Sequence, residues 1–177
     1  MVQRSKYFLG LNLKDDLKSE IETWRGKQLP DTYRSVAANN FHITLVFLGF
    51  VDKKTIESSI NAISQINANP FSLTLNHLDC WPKPQVLFLG AGSIPAQLQN
   101  LVDQLEKVAL KNLIAIEQRQ YVPHLTLCRK AKTLPSIKAE PHFFIRFTNF
   151  CLFESVSTNN GVKYKVIKSW PLQQYNN

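Results

Sequence analysis

The feature that most constrains this chain is an internal repetition. Residues 6–13 read KYFLGLNL and residues 85–92 read QVLFLGAG, two short apolar runs built around Phe-Leu-Gly at 8–10 and 88–90. After each comes a stretch with apolar residues at helical spacing: Leu13, Leu17, Ile21 and Trp24 in the first, Leu98, Leu101, Val102, Leu105 and Val108 in the second. Asp15 or Asp16 is the candidate N-cap of the first helix, and Ser93 and Pro95 mark the start of the second. Each helix leads to a histidine followed by an aliphatic residue, Thr and Leu, as HITL at 42–45 and HLTL at 124–127. Gly10 to His42 spans 32 residues, and Gly90 to His124 spans 34. With 9 Thr, 22 Leu and 4 His among 177 residues, chance would place Thr-Leu behind two histidines on the order of once in several thousand sequences.

A duplicated β-α-β unit calls for an α+β fold of two related lobes. The expectation is one bilobal domain over 1–177, duplicated approximately as 6–84 and 85–170. A two-fold arrangement would bring the two histidines face to face across a cleft. Around this frame, FSLTLNHLDCW (71–81) reads as a strand, and FFIRFTNFCLFES (143–155) as its counterpart. Asp52, Ile56, Ile60 and Ile63 suggest a further helix in the first half only. Asn159-Asn160-Gly161 marks a turn before the last strand.

Strand alternation gives the motifs their chemistry. Over 41–48, His42, Thr44 and Val46 share one face, and Phe41, Ile43, Leu45 and Phe47 share the other, which is wholly apolar. Over 123–130, His124, Thr126 and Cys128 face one way and Leu125 and Leu127 the other. Two such strands in opposition make a pocket of two imidazoles and two hydroxyls. The hydroxyls can hold phosphate oxygens, and the imidazoles can flank the phosphorus as acid and base near neutral pH. No Asp or Glu lies within or beside either motif, so no metal and no cofactor is expected. His77 reads as a core residue sharing a face with Phe71, Leu73 and Leu75, and His142 as an exposed loop residue.

Composition narrows the class. The charge of +8 favours an anionic partner, and the basic residues are spread along the chain, as suits a groove. The longest apolar runs are strand-sized, so no membrane span is expected, and the start of the chain has no signal-peptide pattern. A cytoplasmic monomer is the expectation. Cys80, Cys128 and Cys151 are widely spaced and form no C-x-x-C pair, which argues against a disulfide scaffold or a cysteine zinc site.

With paired motifs in YFLGLNL, RSVAANNFHITLVFLG and VPHLTLCR, the chain resembles the 2H phosphoesterases, and among them the RNA 2′,3′-cyclic phosphodiesterases, or 2′-5′ RNA ligase-like proteins. The resemblance implies two pseudo-two-fold-related lobes, each with an antiparallel sheet and helices, and an active-site cleft between them. It also implies hydrolysis of RNA 2′,3′-cyclic phosphate ends to 2′-phosphates, with reversible 2′-5′ ligation as a second capacity. His42 would be the general acid on the departing 3′-oxygen and His124 the general base on water. Thr44, Thr126 and Arg129 would hold the phosphate, joined by Arg34 ahead of the first motif. Tyr121 is a candidate for stacking a base, with packing as its other reading. Two alternatives stand beside this one: a cyclic phosphodiesterase acting on small nucleotides, and a non-catalytic RNA-binding protein.

Overall fold

The structure is a computed structural model that describes residues 4–117, 119–159 and 161–173. Nine strands and three α-helices alternate along these residues: β1 Arg4–Asn12, α1 Asp15–Gln28, β2 Arg34–Ser35, β3 His42–Asp52, α2 Lys53–Ile63, β4 Phe71–Trp81, β5 Val86–Ala91, α3 Ala96–Lys111, β6 His124–Arg129, β7 Phe143–Phe147, β8 Asn149–Thr158 and β9 Gly161–Pro171. A single 3-10 turn at Ala38–Asn40 precedes β3. The strands form two antiparallel sheets, ordered β3-β1-β8-β9 and β2-β6-β5-β4-β7. One motif strand lies in each sheet, which is the expected α+β, two-lobed arrangement.

Each sheet draws strands from both halves of the sequence. The crossing occurs within the segment read as a single strand at 143–155, and the structure corrects that reading. Phe143, Ile145 and Phe147 are buried in alternation as β7, pairing with β4; from Phe150 the chain is β8, pairing with β1 and β9. Thr148 and Asn149 are both exposed, so the alternation breaks where the chain changes sheets, and the Thr148 carbonyl there accepts from Leu172 N at 2.8 Å. Asn160, the centre of the expected turn, lies outside the described residues; Thr158 pairs with Gly161 on either side of it.

The helices form for the reasons their sequences give. Leu98, Leu101, Val102 and Leu105 of α3 are wholly buried, the stripe expected of an amphipathic helix. Asp52 caps α2, accepting from Thr55 N at 3.0 Å. The cap of α1 differs from expectation. Lys14 holds the N-cap position without a side-chain bond, while Asp15 and Asp16 lie inside the first turn, where their charge complements the helix dipole. Trp24 of α1 meets Phe143 of β7 edge-on at 6.1 Å and donates to Ala139 O, so the helix after β1 packs beside the other sheet. One apolar core, including Leu11, Ile43, Leu75, Leu89, Leu105 and Leu125, runs through both lobes.

Candidate active site

Both motif strands carry a β-bulge at the same place. In β3, Thr44 pairs with Gly10 and Val46 with Leu9, leaving Leu45 as the extra residue. In β6, Thr126 pairs with Phe88 and Cys128 with Leu87, leaving Leu127 extra. A bulge shifts the alternation by one residue, so the histidine and threonine of each motif face the cleft while the next residue turns inward. Val46 and Cys128, read from strict alternation as cleft-facing, are therefore buried, and Phe47, read as core, is half exposed at 50%. The Leu that ends each motif fills the core at the bulge.

His42, Thr44, His124, Thr126, Arg34 and Arg129 all line one cavity of about 750 Å³, with Lys6, Asn40 and Tyr164 also in its wall. Among the described residues, the cavity wall contains three cations and no carboxylate. Two of those cations oppose each other directly, because β2 pairs with β6 at Arg34 and Arg129. Like charges facing across a ladder are unfavourable unless an anion lies between them. Arg34, ahead of the first motif, is thus in register with Arg129, which follows the second.

Each imidazole is oriented by the same bond. His42 Nδ1 donates to Asn40 O at 2.7 Å, and His124 Nδ1 donates to Val122 O at 2.8 Å. A carbonyl only accepts, so Nδ1 carries the hydrogen and Nε2 is left to exchange a proton. His42 Nε2 lies 3.0 Å from Thr44 Oγ1. Burial pushes both histidines below the usual 6.5. For His42 the depression reaches about 4, aided by the charges of His124, Lys18 and Arg129 and opposed by the bond to Asn40. His124 is lowered by burial and by Arg119 and Arg129, against the bond to Val122.

Several supporting residues escaped sequence reasoning. Phe8 lies 4.7 Å from the His42 ring, and Phe88 lies 5.5 Å from His124. These are the phenylalanines of the repeated Phe-Leu-Gly, so the signal was present but its meaning was not. Tyr164 meets His42 edge-on at 4.9 Å, and Trp81 meets His124 edge-on at 4.6 Å. Asn40 is anchored to β9, donating to Val162 O at 2.7 Å and accepting from Tyr164 N, which fixes the carbonyl that orients His42. Buried Arg25 of α1 donates to Val36 O and to Leu127 O, and its guanidinium sits over the Phe41 ring at 5.2 Å. One side chain thereby holds backbone beside both motifs. No local pattern marks Asn40 or Arg25.

Tyr121 is half-buried against the core, and its hydroxyl donates to Thr44 O at 3.1 Å, so it braces the first motif strand rather than offering a free ring. His77 follows a bulge in β4 that ends the Phe71-Leu73-Leu75 alternation. Its ring leans over Gly90, where a Cβ would collide with it, instead of entering the core. His142 is exposed, as read.

A family model described as the 2′-5′ RNA ligase superfamily matches residues 13–154. The chain belongs to that superfamily. It is 29% identical over 177 residues to the RNA 2′,3′-cyclic phosphodiesterase of Escherichia coli K12, covering 98% of this chain and all of that one. A Methanocaldococcus jannaschii protein of the same name is 28% identical, covering 93% and 99%. Among solved structures, E. coli LigT complexed with 3′-AMP superposes with a TM-score of 0.91 at 30% identity, over 97% of this chain and all of that chain. Superfamily membership bears out the resemblance read from the paired motifs, and the superposition bears out the two-lobed fold. Among the described residues no helix is long and apolar enough to cross a membrane.

Proposed function

We propose that this protein is an RNA 2′,3′-cyclic phosphodiesterase, opening the cyclic phosphate to a 2′-phosphate by two-histidine acid-base catalysis. The observation that carries the reading is the pair of imidazoles, each with Nδ1 bound to a carbonyl and both on one cavity whose three cations have no carboxylate partner there. Nearly full-length relatives named for this reaction support it.

The phosphate monoanion sits among Arg34, Arg129 and Lys6, with the Thr44 and Thr126 hydroxyls on its non-bridging oxygens. Neutral His124 takes a proton from water through Nε2, and the water oxygen attacks phosphorus in line with the 3′-oxygen. The P–O3′ bond breaks, and His42 Nε2 protonates the departing oxygen. His42 must be charged for this step, although burial keeps it neutral in the empty cleft. The substrate's own negative charge supplies the compensation, so the acid is armed by binding. Ring strain in the five-membered ester lowers what remains for the protein to do.

The test is to incubate the protein with a short RNA ending in a 2′,3′-cyclic phosphate and identify the product. A 2′-phosphate is expected, with a loss of ~10²–10⁴ in rate for His42→Ala or His124→Ala. A 3′-phosphate would reverse the leaving oxygen. Tight binding without turnover would make the protein an RNA binder.

A further inference from the structure

Strand β3 bulges a second time beyond its motif. Phe47 pairs with Phe8 and Gly49 with Tyr7, leaving Leu48 as the extra residue, and Gly49 takes a φ of +72° there. Strict alternation from Phe47 would turn Phe50 toward the core. The bulge instead keeps Leu48 buried and sets Phe50, opposite Lys6, on the cleft face with Phe47 and Phe8. Both outer rings stay in water: Phe47 is 50% exposed and Phe50 69%. Among the described residues neither stacks on another aromatic ring, and the Lys6 ammonium lies 5.1 Å from the Phe47 centroid. Lys6 makes no ion pair among the described residues. Single exposed apolar side chains are ordinary. Two phenylalanines on one face with a lysine beside them are the parts of a stacking platform for a single nucleic-acid strand.

The platform continues the phosphate cavity. Phe47 and Lys6 line that cavity, and Phe47 also lines a second one of about 630 Å³ that opens beside His124. Along β3 the cleft face reads His42, Thr44, Phe47, Phe50, so the rings lead away from the imidazole on its own strand. Their partners on β1, Phe8 and Lys6, are two residues apart, which spaces the rings ~7 Å along the strand, a gap one planar base can bridge. The next pair on this face is Arg4 with Asp52, where a carboxylate ends the surface that favours an anion. The apolar stretch therefore suits one nucleotide.

We infer that Phe47 and Phe50 form a subsite for the base immediately 5′ of the cyclic end, with Lys6 facing the phosphodiester that joins the two nucleotides. The inference rests on the acid role proposed for His42. The departing O3′ belongs to the terminal ribose and meets His42, so the strand that continues from that ribose leaves over the sheet that carries His42. No covalent step is added, since the extra base only holds the substrate. The preferred substrate is then an RNA end rather than a lone cyclic nucleotide, because only the RNA brings a second base to stack.

The experiment compares kcat/KM of the full chain on three cyclic phosphates: adenosine 2′,3′-cyclic phosphate, the dinucleotide ApA ending in the same group, and that dinucleotide with an abasic first residue. The dinucleotide is expected to exceed its abasic form by about fivefold or more, the low end for one base–aromatic stack, and chiefly through KM. Phe50→Ala should bring the dinucleotide down to the abasic form and leave the mononucleotide unchanged, because Phe50 lines neither cavity. Phe50→Trp should keep or widen the preference, which a merely structural side chain would not do. Equal rates on the dinucleotide and its abasic form, or a preference that survives Phe50→Ala, would overturn the subsite and leave the hydrolase standing. Turnover of none of the three would overturn the phosphodiesterase reading, and the subsite with it.

Discussion

Charging His42 in the free protein should cost about 3.5 kcal/mol, and a bound phosphate should return all of it. The cost follows from a fall from 6.5 to about 4 at ~1.4 kcal/mol per pH unit. The return follows from Coulomb's law: one negative charge ~4 Å from the ring, at an effective dielectric near 20, contributes about 4 kcal/mol. The two are close enough that binding a monoanion decides whether the acid carries its proton at neutral pH. The assay is an NMR titration of the four histidine rings, with His42 assigned by the loss of its signal in His42→Gln. In the free protein its signal should titrate near 4; with a nucleoside 2′-phosphate bound it should move up by two pH units or more. Kinetics should follow. Because the free enzyme seldom holds the charged His42, kcat/KM should rise as pH falls from about 7.5 toward 6, with the optimum of kcat lying at higher pH. Stability carries the same sign. The folded value lies below the unfolded one, so the unfolded chain binds the proton first between about 4 and 6.5. The His42 share of stability should therefore fall by up to about 3.5 kcal/mol as pH drops through that window; His124, lowered too, adds its own, and His42→Gln should remove only the His42 share. A His42 that titrates above 6.5 in the free protein, or that ignores the ligand, would refute the idea that substrate arms the acid.

Other perturbations test the supports of the site. Arg129→Ala should raise KM for the cyclic phosphate, yet leave the ligand-free protein as stable or more stable by ~0.2–1 kcal/mol, since it relieves the facing Arg34; thermal unfolding with and without phosphate separates the two effects. Arg25→Leu strips the Val36 carbonyl of its side-chain donor, at roughly 1–3 kcal/mol, while Leu127 O keeps its bond from Val36 N, and a chemical denaturation midpoint unchanged within error would dismiss the clamp. Phe88→Leu should lower kcat more than it changes KM, because the ring that backs His124 is lost while the phosphate cations stay; equal changes in both would point to general disorder.

Much of the site was legible in the sequence because its chemistry is local. Histidine and threonine two apart on a strand must share a face unless something intervenes between them, and nothing does before Leu45 or Leu127. The doubling of that spacing, with the helix stripes of Leu13 to Trp24 and Leu98 to Val108, was enough to expect two related lobes and two opposed imidazoles. What alternation could not carry was any change in its own phase. The bulges that bury Val46 and Cys128 and turn Phe47 outward exist because β1 and β5 pair with the motif strands in a particular register, a relation between segments tens of residues apart. The switch of the chain from one sheet to the other at Thr148 has the same origin. Asn40 reaches β9 and Arg25 reaches β6 across more than a hundred residues of chain, and Trp81 comes to His124 through two strand pairings. The sequence by itself determined which side chains are available for the proposed chemistry. Tertiary structure decided how they are aimed, how far burial lowers their proton affinity, and that a second cavity opens beside His124, because each of these depends on what distant segments place around a side chain.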